Sequence, residues 1–383
     1  MIIYADTALF TNTGRSFNMN RFNFFMPAHV YFGENCILEN KDALRGFGEK
    51  ALIVTGRHSA KKNGAQADIT SALESLGKTW VLFDEVEENP SVETIVKAAD
   101  FGKKEKADFV IGIGGGSPMD SAKAISCLLA NPDKGSDVLF GKTAPHVPVI
   151  EIPTTAGTGS ETTQFAIVTL HEKRTKSAIS QKIFADASFL DAKYMATLSP
   201  EITNNTAVDA LTHLIEAYMS KNANFFSDRL AEIGLDIFKE CIPSLKSRTY
   251  SPEIREKLLL ASTIAGMVIA QAGTSLPHAM GYFLTYEKGI PHGRSNGILV
   301  KAYLEQFPVQ TKISTLLEHL DMSSLTELDE LLKEVLHTTE NFTETDIKYY
   351  SKEVSKNKMK LASYPYTITE EDLYHIYKKS LLS

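Results

Sequence analysis

Cysteine is scarce. The 383 residues hold three, Cys36, Cys127 and Cys241, too widely spaced for a thiolate metal motif or a disulfide framework. That usage suits a reducing, cytoplasmic setting. No stretch reaches the about 18 consecutive apolar residues of a membrane span. A basic excess is missing too. Forty Lys and Arg stand against 47 Asp and Glu, a net charge of −7, which argues against nucleic-acid and anionic-membrane partners. There is no GK[ST] phosphate loop, no GxSxG elbow, no internal repeat and no low-complexity tract. The opening MIIYADTALFTNTGRSFNMN is polar and mixed, without a charged-then-apolar leader. Residues 1–20 therefore read as an arm or extension, with Met19 a second candidate start.

What is present is an ordinary globular balance, 43% hydrophobic and 23% charged, in a chain long enough for two cores. Between about residues 50 and 190, short apolar runs alternate with helical patterns. ALIVTG (51–56), TWVLFDEV (79–86), ADFVIGIG (107–114) and VPVIEIP (147–153) read as strands. SVETIVKAADFGKKEK (91–106) reads as a helix capped by Ser91. This alternation predicts a parallel sheet with crossover helices over residues 21–199. From 200 to 383 strand signals nearly vanish, and stretches such as 206–220 and 255–273 carry helical spacing. The expected fold is an α/β N-terminal domain followed by an all-α C-terminal domain.

In VIGIGGGSPMDSAKAI (110–125) a buried strand runs into Gly114, Gly115 and Gly116, and a helix follows at once. Ser117 fits the N-cap, Pro118 the first helical position, and Asp120 the third, from where it can reach back to the cap. Glycines admit a ligand close to the backbone, and a helix N-terminus offers free N–H groups to pyrophosphate. The run departs from GxGxxG, with Ser117 in the sixth position, and also fits a plain strand-to-helix turn. PTTAGTGSETT (153–163) follows the next strand and crowds hydroxyls at its C-terminal end, where open parallel sheets bind ligands.

In TAVDALTHLIEAY, Asp209 and His213 are four apart, one turn on one helix face. Such a pair is common on exposed helices, but Val208, Leu211, Leu214 and Ile215 surround this one. His278 stands just after Pro277, at a helix start, and His292 lies in the turn GIPHG. One carboxylate with three imidazoles suits Fe(II) or Zn(II) and suits Mg or Ca poorly.

GGGSPMDSAK, PTTAGTGSE, DALTHLIEAY and PHG, in this order and at these separations, resemble the iron-containing (group III) alcohol dehydrogenases. The likeness runs from about Phe22 to the C-terminus and is weakest after about residue 305. It implies a nucleotide-binding α/β domain, a helical domain, and a metal in the cleft between them. It implies Asp209, His213, His278 and His292 as ligands of Fe(2+), with Zn(2+) the alternative. Gly114 to Ser117 would hold pyrophosphate. Thr154, Thr155, Thr158 and Thr163 would form a second cofactor loop, with Lys176 near the nicotinamide ribose. A homodimer is implied by the resemblance alone.

Two positions depart from the family pattern. Many members carry a second histidine four residues after the third ligand, where this chain has Tyr282, a phenol that can still donate a proton. Many NAD-preferring members place an aspartate after the first strand, where this chain has Gly56, with Arg57, Lys61 and Lys62 nearby. That leans toward NADP(H), with NAD(H) open; the cations also fit a solvated helix start. The implied reaction is metal-assisted hydride transfer between the dinucleotide and a small alcohol or aldehyde. The ligand loops carry Tyr282, Thr285, Lys288 and Arg294; the two cations suggest an anionic aldehyde, and the HAxxYxxT…GIPHG pattern resembles the phosphonoacetaldehyde (hydroxyethylphosphonate) reductase branch. The alternative is a lyase resembling dehydroquinate synthase, which uses NAD and a metal without net redox.

Overall fold

The computed structural model describes residues 21–173, 175–337 and 340–382. The arm expected over residues 1–20 lies outside them. Six strands form one sheet: β1 (His29–Phe32), β2 (Lys50–Thr55), β3 (Thr79–Phe83), β4 (Phe109–Gly114), β5 (Val149–Pro153) and β8 (Ala187–Leu190), in the order β1-β8-β5-β4-β2-β3. Every pairing is parallel, with Val54 beside Gly112 and Ile113 beside Ile152. Strands of a parallel sheet covered on both faces need apolar residues at every position, and β4 and β5 are buried throughout. The period-two alternation is visible in the packing. Leu52, Val54 and Val110 face one core, while Ala51, Ile53, Phe109 and Ile111 face the other. A separate antiparallel hairpin, β6 (Ile167–Leu170) with β7 (Thr175–Ala178), leans beside the sheet.

After β8 the chain forms only helices among the described residues. The first, Pro200–Tyr218, starts at Ser199, whose side chain accepts from Ile202 N, with Pro200 in the first turn. Phe225–Ser247 and Pro252–Ala272 pack against it around one large apolar core. Here Leu211, Leu214, Ile215, Leu235, Leu259 and Val268 lie buried. The predicted α/β-then-helical architecture is the one found. No single described helix is long and apolar enough to cross a membrane. A cavity of about 740 Å³ separates the C-terminal ends of β4 and β5 from the helical core.

Candidate active site

Asp209, His213 and Glu216 sit at i, i+4 and i+7 of the helix Pro200–Tyr218, so they share a face; all three are buried. His278 stands in the first turn of the helix Leu276–Lys288, after Pro277. That helix ends at Gly289, at φ 67°, and Pro291 precedes a short helix opened by His292 itself. The turn therefore extends only to Pro291. A Cβ at Gly293 would run into the Asn205 carbonyl, so glycine alone lets this short helix meet Asp209.

Ligand atoms of Asp209, His278 and His292 lie within 4.8 Å of one another. His278 Nε2 is 3.5 Å and His292 Nε2 3.7 Å from Asp209 Oδ1, to which Asn296 donates at 3.1 Å. His213 stands against this group, its Nε2 left free by the bond that its Nδ1 makes. Its ring stacks on His278 with centroids 4.4 Å apart, and its Nδ1 bonds the Gly157 carbonyl at 3.3 Å. Glu216 faces His278 Nδ1 with one oxygen and accepts from Ser275 N with the other. The Glu216 bond keeps a proton on Nδ1 and makes Nε2 the atom free to ligate. His278 Nε2 is buried with no hydrogen-bond partner, and so is His292 Nδ1, while His292 Nε2, the atom near Asp209, faces the Asn296 amide at 3.3 Å. Orphaned buried nitrogens are costly, and a cation is the partner that this donor set fits.

The electrostatics agree. Burial pushes the Asp209 carboxyl up, but His292, His213 and His278 outweigh it and hold it far below its usual range. Burial takes His213 down to about 4 and His292 well below normal, against the pull of Asp209. Burial lowers His278 as well, but Glu216 and Asp209 outweigh it and lift the imidazole to about 9. A metal at His278 therefore competes with a proton for the imidazole.

The opposite wall of the cavity is the glycine turn. Gly115, Gly116 and Ser117 line it, but the helix Gly116–Ala130 begins earlier than expected, with Gly115 at the cap and no side-chain cap bond. Ser117 is therefore a first-turn residue, and its Oγ accepts from Asn89 N at 3.1 Å. Asp120 does not reach back to the cap. Its oxygens accept from Ser160 Oγ at 2.7 Å and Ile167 N at 2.8 Å. Because no side chain caps the first turn, its N–H groups remain available to an anionic ligand.

One turn further along, Lys123 is fully buried. Its ammonium donates to Ser160 O, Thr163 O and Phe165 O at 2.7, 3.0 and 3.1 Å, and faces Glu151 at 3.6 Å. Burial raises the Glu151 carboxyl to about 8 despite that lysine. Asp120 and Lys123 thus pin the second loop to the first. Thr155, Thr158 and Thr163 of that loop line the cavity, and a Cβ at Gly116 would stand 2.8 Å from the Thr158 methyl. Gly114 and Thr154 stand behind the wall, joined by a Thr154 N–H to Gly114 carbonyl bond of 2.8 Å. Gly56 follows β2 outside the lining, where Ser59 takes part instead.

Lys176 on β7 lines the cavity and donates to Asn89 Oδ1 at 2.8 Å; burial lowers it to about 8, against Asp209, Asp120 and Glu88. The Tyr282 ring stacks on His292, centroids 5.7 Å apart. Burial first, then Asp120, Asp209 and Glu216, push its phenol far above the usual range. The expectation that Lys288 and Arg294 face the substrate is overturned. Lys288 pairs with Asp346 at 3.2 Å, and Arg294 is held by Glu201 and Glu340 at 2.9 and 2.8 Å. Neither lines the cavity. Sequence reasoning missed Glu216, although its seven-residue spacing from Asp209 marks the same helix face. It also missed Lys123, Asn296 and Lys360, whose partners are remote in the chain.

The family "Iron-containing alcohol dehydrogenase" matches residues 27–192, and "Fe-containing alcohol dehydrogenase family, C-terminal" matches 203–381. Alcohol dehydrogenase 4 of Schizosaccharomyces pombe is 33% identical over 74% of this chain and 68% of its own. NADPH-dependent butanol dehydrogenase of Clostridium saccharobutylicum is 31% identical over 76% and 75%. A solved iron-containing alcohol dehydrogenase of Thermotoga maritima superposes with a TM-score of 0.88 at 37% identity, over 95% of this chain and 100% of the other.

Proposed function

The chain belongs to the iron-containing alcohol dehydrogenase family, and on that premise we propose that it is a metal-dependent dehydrogenase moving hydride between a nicotinamide dinucleotide and a small alcohol or aldehyde. The observation that carries this reading is one cavity with two unlike walls. One wall holds the orphaned His278 Nε2 beside Asp209 and His292; the other is an uncapped glycine turn. Asp209, His278 and His292, with His213 stacked beside them as the fourth ligand, would hold Fe(II) or Zn(II). When bound, the metal supplies Lewis acidity toward an alcohol or carbonyl oxygen, and the nicotinamide carries the hydride.

The chain's own residues do the rest. Glu216 and Ser275 fix the His278 ring. The first-turn N–H groups of the glycine-loop helix bind the dinucleotide's phosphates, and Thr155 and Thr158 shape the path beside them. Tyr282 keeps its phenol proton and acts as a hydrogen-bond donor toward the reacting oxygen rather than as a base. NADP(H) is the preferred dinucleotide in this reading, because residues 55–62 (TGRHSAKK) contain no carboxylate to repel a 2′-phosphate. The test is NADPH and NADH absorbance with a panel of short aldehydes, with and without added Fe(II) or Zn(II). Metal-dependent oxidation, faster with NADPH, is expected. No net oxidation under any metal condition would defeat the dehydrogenase reading in favour of a dehydroquinate synthase-like lyase.

A further inference from the structure

Lys360 belongs to the short helix Lys358–Leu361, far along the chain from every motif above, yet it lines the cavity. Its ammonium stands 3.9 Å from the centre of the Tyr282 ring and donates once, to the Lys176 carbonyl at 3.1 Å. It forms no ion pair among the described residues. An ammonium has three donors; one is spent on that carbonyl and the Tyr282 face takes another, so one remains for a ligand. Lys176 is different. It shares Asn89 and feels Glu88, Asp120 and Asp209. The charge acting on Lys360 is Lys176 itself, a repulsion which, after burial, lowers Lys360 to about 8. Of the carboxylates lining the cavity, Glu87 is engaged with Ser91, Asp120 with Ser160 and Ile167, Glu201 with Arg294 and Asp209 with the histidines, while Glu88 acts on Lys176. A partly buried cation without a counter-charge is expensive unless a ligand supplies one.

We propose that Lys360 reads an anionic group at the far end of the substrate, so that the preferred aldehydes are short and carry a carboxylate, sulfonate or phosphonate. Tyr282 connects the two ends of such a molecule. Its ring touches His292 of the metal cluster and underlies the Lys360 ammonium. This rests on the dehydrogenase reading, and the other anion in the complex, the dinucleotide pyrophosphate, is assigned to the glycine turn.

The experiment compares 4-oxobutanoate with butanal, matched in carbon number, on the metal-loaded enzyme with NADPH. Wild-type protein should favour the anion in kcat/KM, and Lys360→Met should cut that preference about 10- to 100-fold, the range for losing one charge-assisted hydrogen bond. Lys360→Arg should restore most of it. A parallel loss on both aldehydes, no change in the ratio, or a rise in the KM for NADPH instead would overturn the proposal. Titration calorimetry with phosphonoacetate on metal- and NADP-loaded protein tests the anion site without turnover. Binding weakened by Lys360→Met supports it, and no binding to wild type overturns it. Failure of butanal and every other aldehyde to be reduced would sink the dehydrogenase reading, a result the calorimetry does not share.

Discussion

The two halves of the molecule present their functional groups by opposite means. The α/β half offers backbone: an uncapped helix start and a small-residue loop, both at the ends of parallel strands. Its side chains serve as staples, with Asp120 and Lys123 on one helix tying down the loop from Ser160 to Ile167. The helical half offers side chains, three of them meeting at one point, and its backbone serves only to aim them. Backbone sites need close approach and therefore glycine. Side-chain sites need supporting partners such as Glu216 and Asn296.

If that division holds, variants should separate the two functions. Lys123→Met should have the largest effect. It leaves the buried carbonyls of Ser160, Thr163 and Phe165 without their donor and frees the second loop, so urea unfolding should show a loss of about 3–5 kcal/mol. Dinucleotide affinity should fall with it, while metal affinity in the folded fraction should hold. Glu216→Gln should do the reverse. Competition against a chelator should show metal binding weakened about 10- to 100-fold, with NADPH affinity nearly unchanged. Gly116→Ala forces a methyl against Thr158, an overpacking cost of about 1–3 kcal/mol, and fluorescence titration should show weaker NADPH binding without metal loss. Tyr282→Phe removes one neutral hydrogen bond, so kcat/KM should drop only about 3- to 10-fold in steady-state assays. Loss of both functions in either Lys123→Met or Glu216→Gln would break the division.

What could be read from the chain follows the same line. β2 to β5 were legible because each is an apolar run with turn residues behind it. β1 and β8, four residues each, and the β6–β7 hairpin carry too little pattern to stand out. Asp209 with His213, and His278 with His292, were visible as polar residues in apolar surroundings. Lys288 and Arg294 were misread because closeness in sequence to a ligand says nothing about which side of a helix a side chain leaves by. Lys360 reaches the cavity from about seventy residues beyond His292, through tertiary packing that spacing does not encode.

The claim on which both halves depend is that Asp209, His278 and His292 hold an ion inside the nucleotide cavity. Wild-type protein and His278→Ala would be loaded with Fe(II) or Zn(II), desalted, and measured for bound metal alongside NADPH oxidation. The account predicts stoichiometric metal and activity in the wild type and the loss of both in the variant, with thermal unfolding showing that the variant is folded. Unchanged metal content in a folded His278→Ala protein, or full activity in metal-free wild type, would contradict it.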